Sequence, residues 1–147
     1  MKSIATAVWE GGLKDGKGRI DAVSRGSSPG AFTGLPYSFT ERFEGTDGPG
    51  TTPEQLIAAA HASCFAMATS SELGKAGFPP SRLTASATVT MQPVDGKPTV
   101  IRSDLVLDAS VAGIDDATFQ RVVLGSKAGC PISRLLQCEI TLEARLV

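Results

Sequence analysis

"TTPEQLIAAAHASCFAMATS", residues 51–70, decides how the rest of the chain is read. Thr52 suits a helix N-cap, Pro53 the first helical position and Glu54 the first turn. The run that follows, Gln55 to Ser70, spans sixteen residues without an acidic or basic side chain. It also holds the only histidine, His61, and one helical turn later a thiol, Cys64. A membrane span needs about 20 predominantly apolar residues, and Gln55, His61 and several hydroxyls interrupt this one. The stretch is therefore expected to be a buried helix of a soluble domain.

The flanking sequence gives an α+β pattern. Ile4 to Trp9 could be a short strand, followed by a turn rich in Gly and Lys, and 24–36, with five Gly or Pro, reads as loop. Tyr37, Phe39 and Phe43 fall on one face of a second strand and Arg42 on the other, so Arg42 is expected to point away from the aromatic side chains. Gly45 to Gly50 reads as a turn-rich loop. After the long helix, Leu83, Ala85, Ala87, Val89 and Met91 alternate with polar residues. Beyond "DGK", Ile101, Leu105, Leu107, Ala109 and Val111 do the same, which predicts a hairpin. A helix is expected from about Asp116 to Lys127, with Phe119, Val122 and Val123 on one face, ending near Gly129. Cys138, Ile140, Leu142, Ala144 and Leu146 share the inward face of a last strand.

With 147 residues, one domain spanning 1–147 is expected, large enough for a substantial core. Fourteen Lys plus Arg against fifteen Asp plus Glu leave no charge footprint for nucleic acid or an anionic membrane. No secretory leader is read near the amino terminus, which points to the cytoplasm. Three cysteines without a CxxC pair are too few for a disulfide scaffold or a zinc ribbon.

Each cysteine has its own setting. Cys138 reads as a small hydrophobe of the core. Cys130, in "KAGCPISRLL", precedes Pro131, so it is placed as the N-cap of a short helix, where N–H groups and the helix dipole favour a thiolate. An ordinary turn cysteine fits the position equally. Cys64, on an apolar helix, would be unreactive unless a cation lay nearby. His61 reads either as a hydrogen-bonded core residue or as a base. A cysteine-protease site lacks an orienting partner, and a metal site from His61, Cys64 and Cys130 matches no recurrent ligand spacing.

Taken together, "RFEG", "TTPEQLIAAAHASCFAMA", "KAGCPIS" about sixty residues later and the final "EITLEARL" resemble the osmotically inducible protein C (OsmC) family, which includes the organic hydroperoxide resistance (Ohr) proteins. The likeness runs from "WEGGLKDGKG" to the end. It is closer to the osmotically inducible branch, because the candidate arginine, Arg42, lies in "RFEG" just before the helix; Arg19 in "GKGRI" is the competing candidate. The resemblance implies an OsmC-like α+β fold, with antiparallel sheets around a long buried central helix, in an intertwined homodimer. It further implies a thiol peroxidase without metal, flavin or other cofactor. Cys64 would be the peroxidatic thiol and Cys130 the resolving thiol, with Arg42 and Glu54 in support. The substrate would be an organic hydroperoxide in preference to hydrogen peroxide, and the reductant a dithiol such as dihydrolipoamide. A non-catalytic dimeric binding module of the same fold is the alternative.

One geometric conflict follows. Ten residues separate Glu54 from Cys64, which on a straight helix is about 15 Å along the axis and about 80° in rotation. Either the helix is broken between them, or Arg42 and Glu54 reach the Cys64 of the other subunit, the preferred reading.

Overall fold

A computed structural model describes residues 2–23, 30–45 and 48–147. Parts of two loops read from the sequence, 24–29 and 46–47, lie outside the described residues. The chain forms two compact units, Met1–Pro53 and Glu54–Val147.

The first unit is a three-stranded antiparallel sheet in the order β1-β2-β3, built from β1 (Ile4–Glu10), β2 (Lys17–Val23) and β3 (Leu35–Ser38). Strand β2 is absent from the sequence reading, because Lys17, Gly18, Arg19 and Asp21 blur its alternation. Gly18 pairs with both Trp9 and Tyr37, and a Cβ there would collide with the Tyr37 ring. The missing side chain lets those two rings meet, with centroids 5.4 Å apart.

The second strand expected through Phe43 stops at Ser38. Thr40–Glu44 instead form one π-helical turn, closed by Gly45 in the left-handed region at φ 64°. Glu41 explains why. Its carboxylate accepts from the Ser38 hydroxyl at 2.9 Å and from the Gly50 N–H at 2.8 Å, so the chain folds back around it. Arg42 is consequently not turned away from the aromatic residues, as strand alternation required. Its guanidinium lies 5.0 Å from the centroid of the Phe43 ring.

The second unit begins with α1 (Pro53–Lys75), which is one unbroken helix. It buries a single stripe, His61, Phe65, Thr69 and Leu73, four residues apart as a helix face requires. Its opposite side is exposed in this chain, Met67 at 75%. Strands β4 (Arg82–Val94) and β5 (Lys97–Ser110) form the expected hairpin. Asp95 and Gly96 make its two-residue turn with φ of 51° and 75°, the conformation that Asp-Gly favours.

Next come α2 (Asp116–Gly129) and α3 (Pro131–Leu135). The Asp115 side chain caps α2 by accepting from the Thr118 N–H at 2.9 Å. The last strand, β6 (Glu139–Leu146), runs parallel to β5. This sheet is thus mixed, not wholly antiparallel, because the two helices between β5 and β6 form a crossover that returns the chain to the same end of the sheet. Cross-strand pairs support the register: Arg102 with Glu139 at 3.3 Å and Arg145 with Asp108 at 3.0 Å. Phe65 and Leu73 of α1, Leu105, Leu107 and Ala109 of β5, and Phe119, Val123 and Cys130 form the buried core of this unit.

Candidate active site

Cys64 lies in the middle of α1 and packs against the cluster that contains Cys130. Cys130 closes α2, its N–H donating to the Ser126 carbonyl at 2.9 Å, and is the residue from which α3 starts, with Pro131 next. Chain geometry thereby seats the first turn of α3 over the middle of α1, and the two thiols are free and adjacent. They are not equivalent. Cys130 is fully buried, whereas Cys64 is partly exposed.

Their protons also differ. Burial pushes the Cys64 thiol up; an N–H from Ile132 pulls it partly back, and the neighbouring Cys130 pushes it further up. Burial pushes Cys130 up too, but the Ser133 N–H, the Ser133 hydroxyl, the Cys64 thiol and the Ile132 N–H outweigh it, and its net direction is down. These contacts are looser than a full capping hydrogen bond, which the Cys130 side chain does not make. Of the two thiols, Cys130 is therefore the one pushed toward ionisation and Cys64 the one pushed away from it. The sequence reading anticipated the favourable setting of Cys130 at the start of a helix.

His61 reaches the same place from below. It is wholly buried on α1, with Nδ1 2.8 Å from the Ser103 hydroxyl of β5 and Nε2 2.9 Å from the Ser133 hydroxyl of α3. Both ring nitrogens are engaged by serines. Among the described residues, no group of three or more His, Cys, Asp or Glu could hold a metal ion. Neither serine was singled out in the sequence. Ser133 had a legible signal, the third position after the Cys130 N-cap. Ser103 sits in the inward row of β5, where a hydroxyl among Ile and Leu reads as an interruption.

Glu54 lies in the first turn of α1. Because that helix is continuous through Cys64, the broken-helix option is gone, and the helical separation of about 15 Å between Glu54 and the Cys64 of the same chain stands. In the first unit, Arg42 lines a cleft of about 250 Å³ with Trp9, Leu13, Tyr37, Phe39 and Phe43. Arg19 lies exposed on β2. Cys138 falls just before β6 and is half-buried, and burial pushes its thiol up. Among the described residues, no helix is long and apolar enough to cross a membrane.

Two neighbouring thiols, one reachable and one held toward the thiolate, define a thiol-based redox site. The comparisons agree in sequence and in fold. A model of the OsmC-like protein family matches residues 45–145. The chain is 44% identical over 140 residues to Peroxiredoxin OsmC of Escherichia coli K12, covering 95% of this chain and 93% of that protein. Among solved structures, the OsmC-like protein of Mycoplasma pneumoniae superposes with a TM-score of 0.73 at 16% identity, covering 100% of this chain and 98% of that one. The organic hydroperoxide resistance protein OhrB of Bacillus subtilis gives 0.70 at 20% identity, with 98% of each chain covered. The protein is a thiol peroxidase by class. It belongs to the OsmC-like family.

The buried histidine carries a pH signature. Burial lowers the His61 pKa below its ordinary value of 6.5, so below that pH the unfolded chain takes up a proton that the folded chain refuses. Folding stability is therefore full above this range and falls as pH drops through it, with a slope of at most about 1.4 kcal/mol per pH unit. Urea midpoints measured on the reduced protein between pH 7 and 5.5 should show this loss, and His61→Gln should flatten it. With a single histidine in the chain, an equal slope in the variant would contradict the assignment.

Proposed function

We propose that this peroxidase reduces organic hydroperoxides to alcohols, with Cys64 as the attacking thiol and Cys130 as the resolving thiol. The observation that carries the reading is the adjacency of the two thiols with unequal exposure: a substrate entering from solvent meets Cys64, while Cys130 waits behind it. Cys64 as thiolate attacks one peroxide oxygen. The S–O bond forms, the O–O bond breaks and the departing alkoxide takes a proton to leave as the alcohol. Cys130 then displaces the oxygen of the sulfenic acid, giving a Cys64–Cys130 disulfide and water. An external dithiol, of which dihydrolipoamide is an example, restores both thiols. Hydrogen peroxide is the poorer substrate. The protein works in the cytoplasm.

For Cys64 to attack it must ionise against the burial and the neighbouring Cys130 that push its thiol up, and a cation is the physical means. Arg42 is the candidate that the family resemblance supplies, and Glu54 orients its guanidinium through a two-pronged pair. Arg42 sits among aromatic side chains in its cleft, a setting suited to a peroxide with an apolar tail. The continuity of α1 supports a site shared across a homodimer, in which one chain's Arg42 and Glu54 serve the partner's Cys64. The exposed face of α1 around Met67 is available for such pairing. We also treat the two compact units as parts of one domain, because the family match runs across their boundary at Pro53.

Thiol counting tests the enzyme reading against a non-catalytic binding module. One equivalent of an organic hydroperoxide should remove two of the three free thiols; a binding module would lose none. Cys64→Ser should abolish peroxide consumption, and Cys138→Ser should leave it nearly unchanged. Comparable losses in both variants would defeat the assignment.

A shared site has its own test. Cys64→Ser and Glu54→Ala chains, each inactive alone, are mixed under conditions in which subunits exchange. Heterodimers would carry one site with an intact Cys64 facing an intact Glu54, and part of the activity should return. Verified exchange without recovery would refute the shared site.

A further inference from the structure

The turn that carries Arg42 is held by an acid that the proposed chemistry does not use. Glu41 is half-buried, and each of its oxygens accepts from a neutral donor: Oε2 from the Ser38 hydroxyl at 2.9 Å and Oε1 from the Gly50 N–H at 2.8 Å. The Ser38 hydroxyl has one proton, and the carboxylate takes it. The Ser38 oxygen therefore accepts, from the Glu41 N–H at 3.2 Å and from the Thr40 hydroxyl at 3.0 Å. One carboxylate thus joins the end of β3, the π-helical turn and Gly50 in a single hydrogen-bonded clasp. Glycine at 48 and 50 leaves it room, since a Cβ at either position would run into the Glu41 carboxylate.

The clasp decides which way the turn faces. Glu41 and Arg42 are consecutive, yet they line different clefts. Glu41 lines a polar one of about 420 Å³ with Lys14, Lys17 and Gly48, whereas Arg42 and Phe43 line the aromatic one with Trp9 and Phe39. Holding the carboxylate on the polar side leaves the guanidinium on the aromatic side, where the Phe39 and Phe43 rings meet with centroids 5.0 Å apart. The closure carries on into the following residues. The Thr51 N–H donates to the Pro36 carbonyl at 2.8 Å, and Pro53 forms part of the wall of the Arg42 cleft. An arginine on a loose turn would have to be ordered at every turnover, at an entropic cost that a fixed turn avoids.

We propose that Glu41 is the positioning residue for Arg42: by clasping Ser38 on one side of the turn and Gly50 on the other, its carboxylate presents the guanidinium in the aromatic cleft, ready for the reacting thiol. The proposal rests on the peroxidase reading above, in which Arg42 favours the Cys64 thiolate, and deepens it. Glu41 itself touches neither thiol nor peroxide in this scheme; it acts through the turn.

The sign of one measurement separates this role from a direct effect of charge. In the full-length Cys130→Ser, Cys138→Ser chain, Cys64 is the single thiol, and its alkylation rate against pH reads its ionisation without any peroxide. Removing an acid should by itself ease ionisation and move the midpoint to lower pH. Loss of positioning predicts the reverse: Glu41→Ala should move the midpoint to higher pH, as Arg42→Ala does. Gly50→Ala changes no charge but puts a methyl group where the carboxylate sits. It should shift the midpoint the same way, and it carries the test where Glu41→Ala does not fold. Glu41→Gln, whose carbonyl can still accept from Gly50, should recover part of the shift. In the protein with all three thiols, assayed with cumene hydroperoxide and dithiothreitol, Glu41→Ala should lower kcat/KM on the order of tenfold, and should add little once Arg42 is alanine. A midpoint that Glu41→Ala and Gly50→Ala leave in place or lower, or a loss that adds in full to that of Arg42→Ala, would overturn the positioning role and leave Glu41 an acid that only stabilises the fold. Failure of the peroxidase reading would appear separately, as absence of peroxide consumption by the unmodified protein.

Discussion

The seat of α3 on α1 is the contact on which the site depends. Pro131 starts α3 directly after the end of α2, and the two helices are joined at Cys130 with no intervening loop. That junction has little freedom, and the Ser133 hydroxyl pins it to His61 at 2.9 Å. The same few residues place Cys130 against Cys64 and at the N-cap of α3. Core packing and thiol chemistry are therefore one arrangement. Phe65, one residue after Cys64, is fully buried, so the helix cannot rotate to carry Cys64 away without exposing a large aromatic side chain.

Electrostatics within the second unit favour charge on the deeper thiol. This makes chemical sense for a resolving cysteine, which must be ready when a sulfenic acid forms beside it. It also means that Cys64 needs help to become the attacking thiolate, since burial and its neighbour both oppose ionisation. In the account proposed here that help comes from Arg42. The π-helical turn that carries Arg42 is braced by Glu41, whose carboxylate gathers Ser38 and Gly50. Glu41 is thus a structural acid one position away from the proposed functional arginine.

Much of this was legible in the sequence wherever local chemistry and fold agree. The long helix announced itself through Pro53, Glu54 and the uncharged run. The Asp95–Gly96 turn, the alternation in β4 and the helical start after Cys130 were equally plain. What escaped was decided by contacts distant in sequence. Strand β2 is held by its two neighbours and has no clear alternation of its own. Residues 39–43 keep a strand-like period, yet Glu41 draws the chain into a turn by bonding to Gly50, nine residues away. The parallel pairing of β6 is set by the crossover of α2 and α3, not by the composition of the strand. Ser103 and Ser133 acquire meaning only through His61, 42 and 72 residues from them in sequence. The two thiols could be named from the family pattern, but which one is pushed toward ionisation required the three-dimensional arrangement.

The central claim is that Cys64 and Cys130 form a single redox couple. The most direct measurement is mass-spectrometric mapping of the disulfide formed after one equivalent of an organic hydroperoxide, with free thiols blocked before digestion. The account predicts one crosslinked peptide pair joining Cys64 to Cys130, with Cys138 recovered blocked. A disulfide that includes Cys138, or an oxidised Cys64 that never pairs with Cys130, would contradict it.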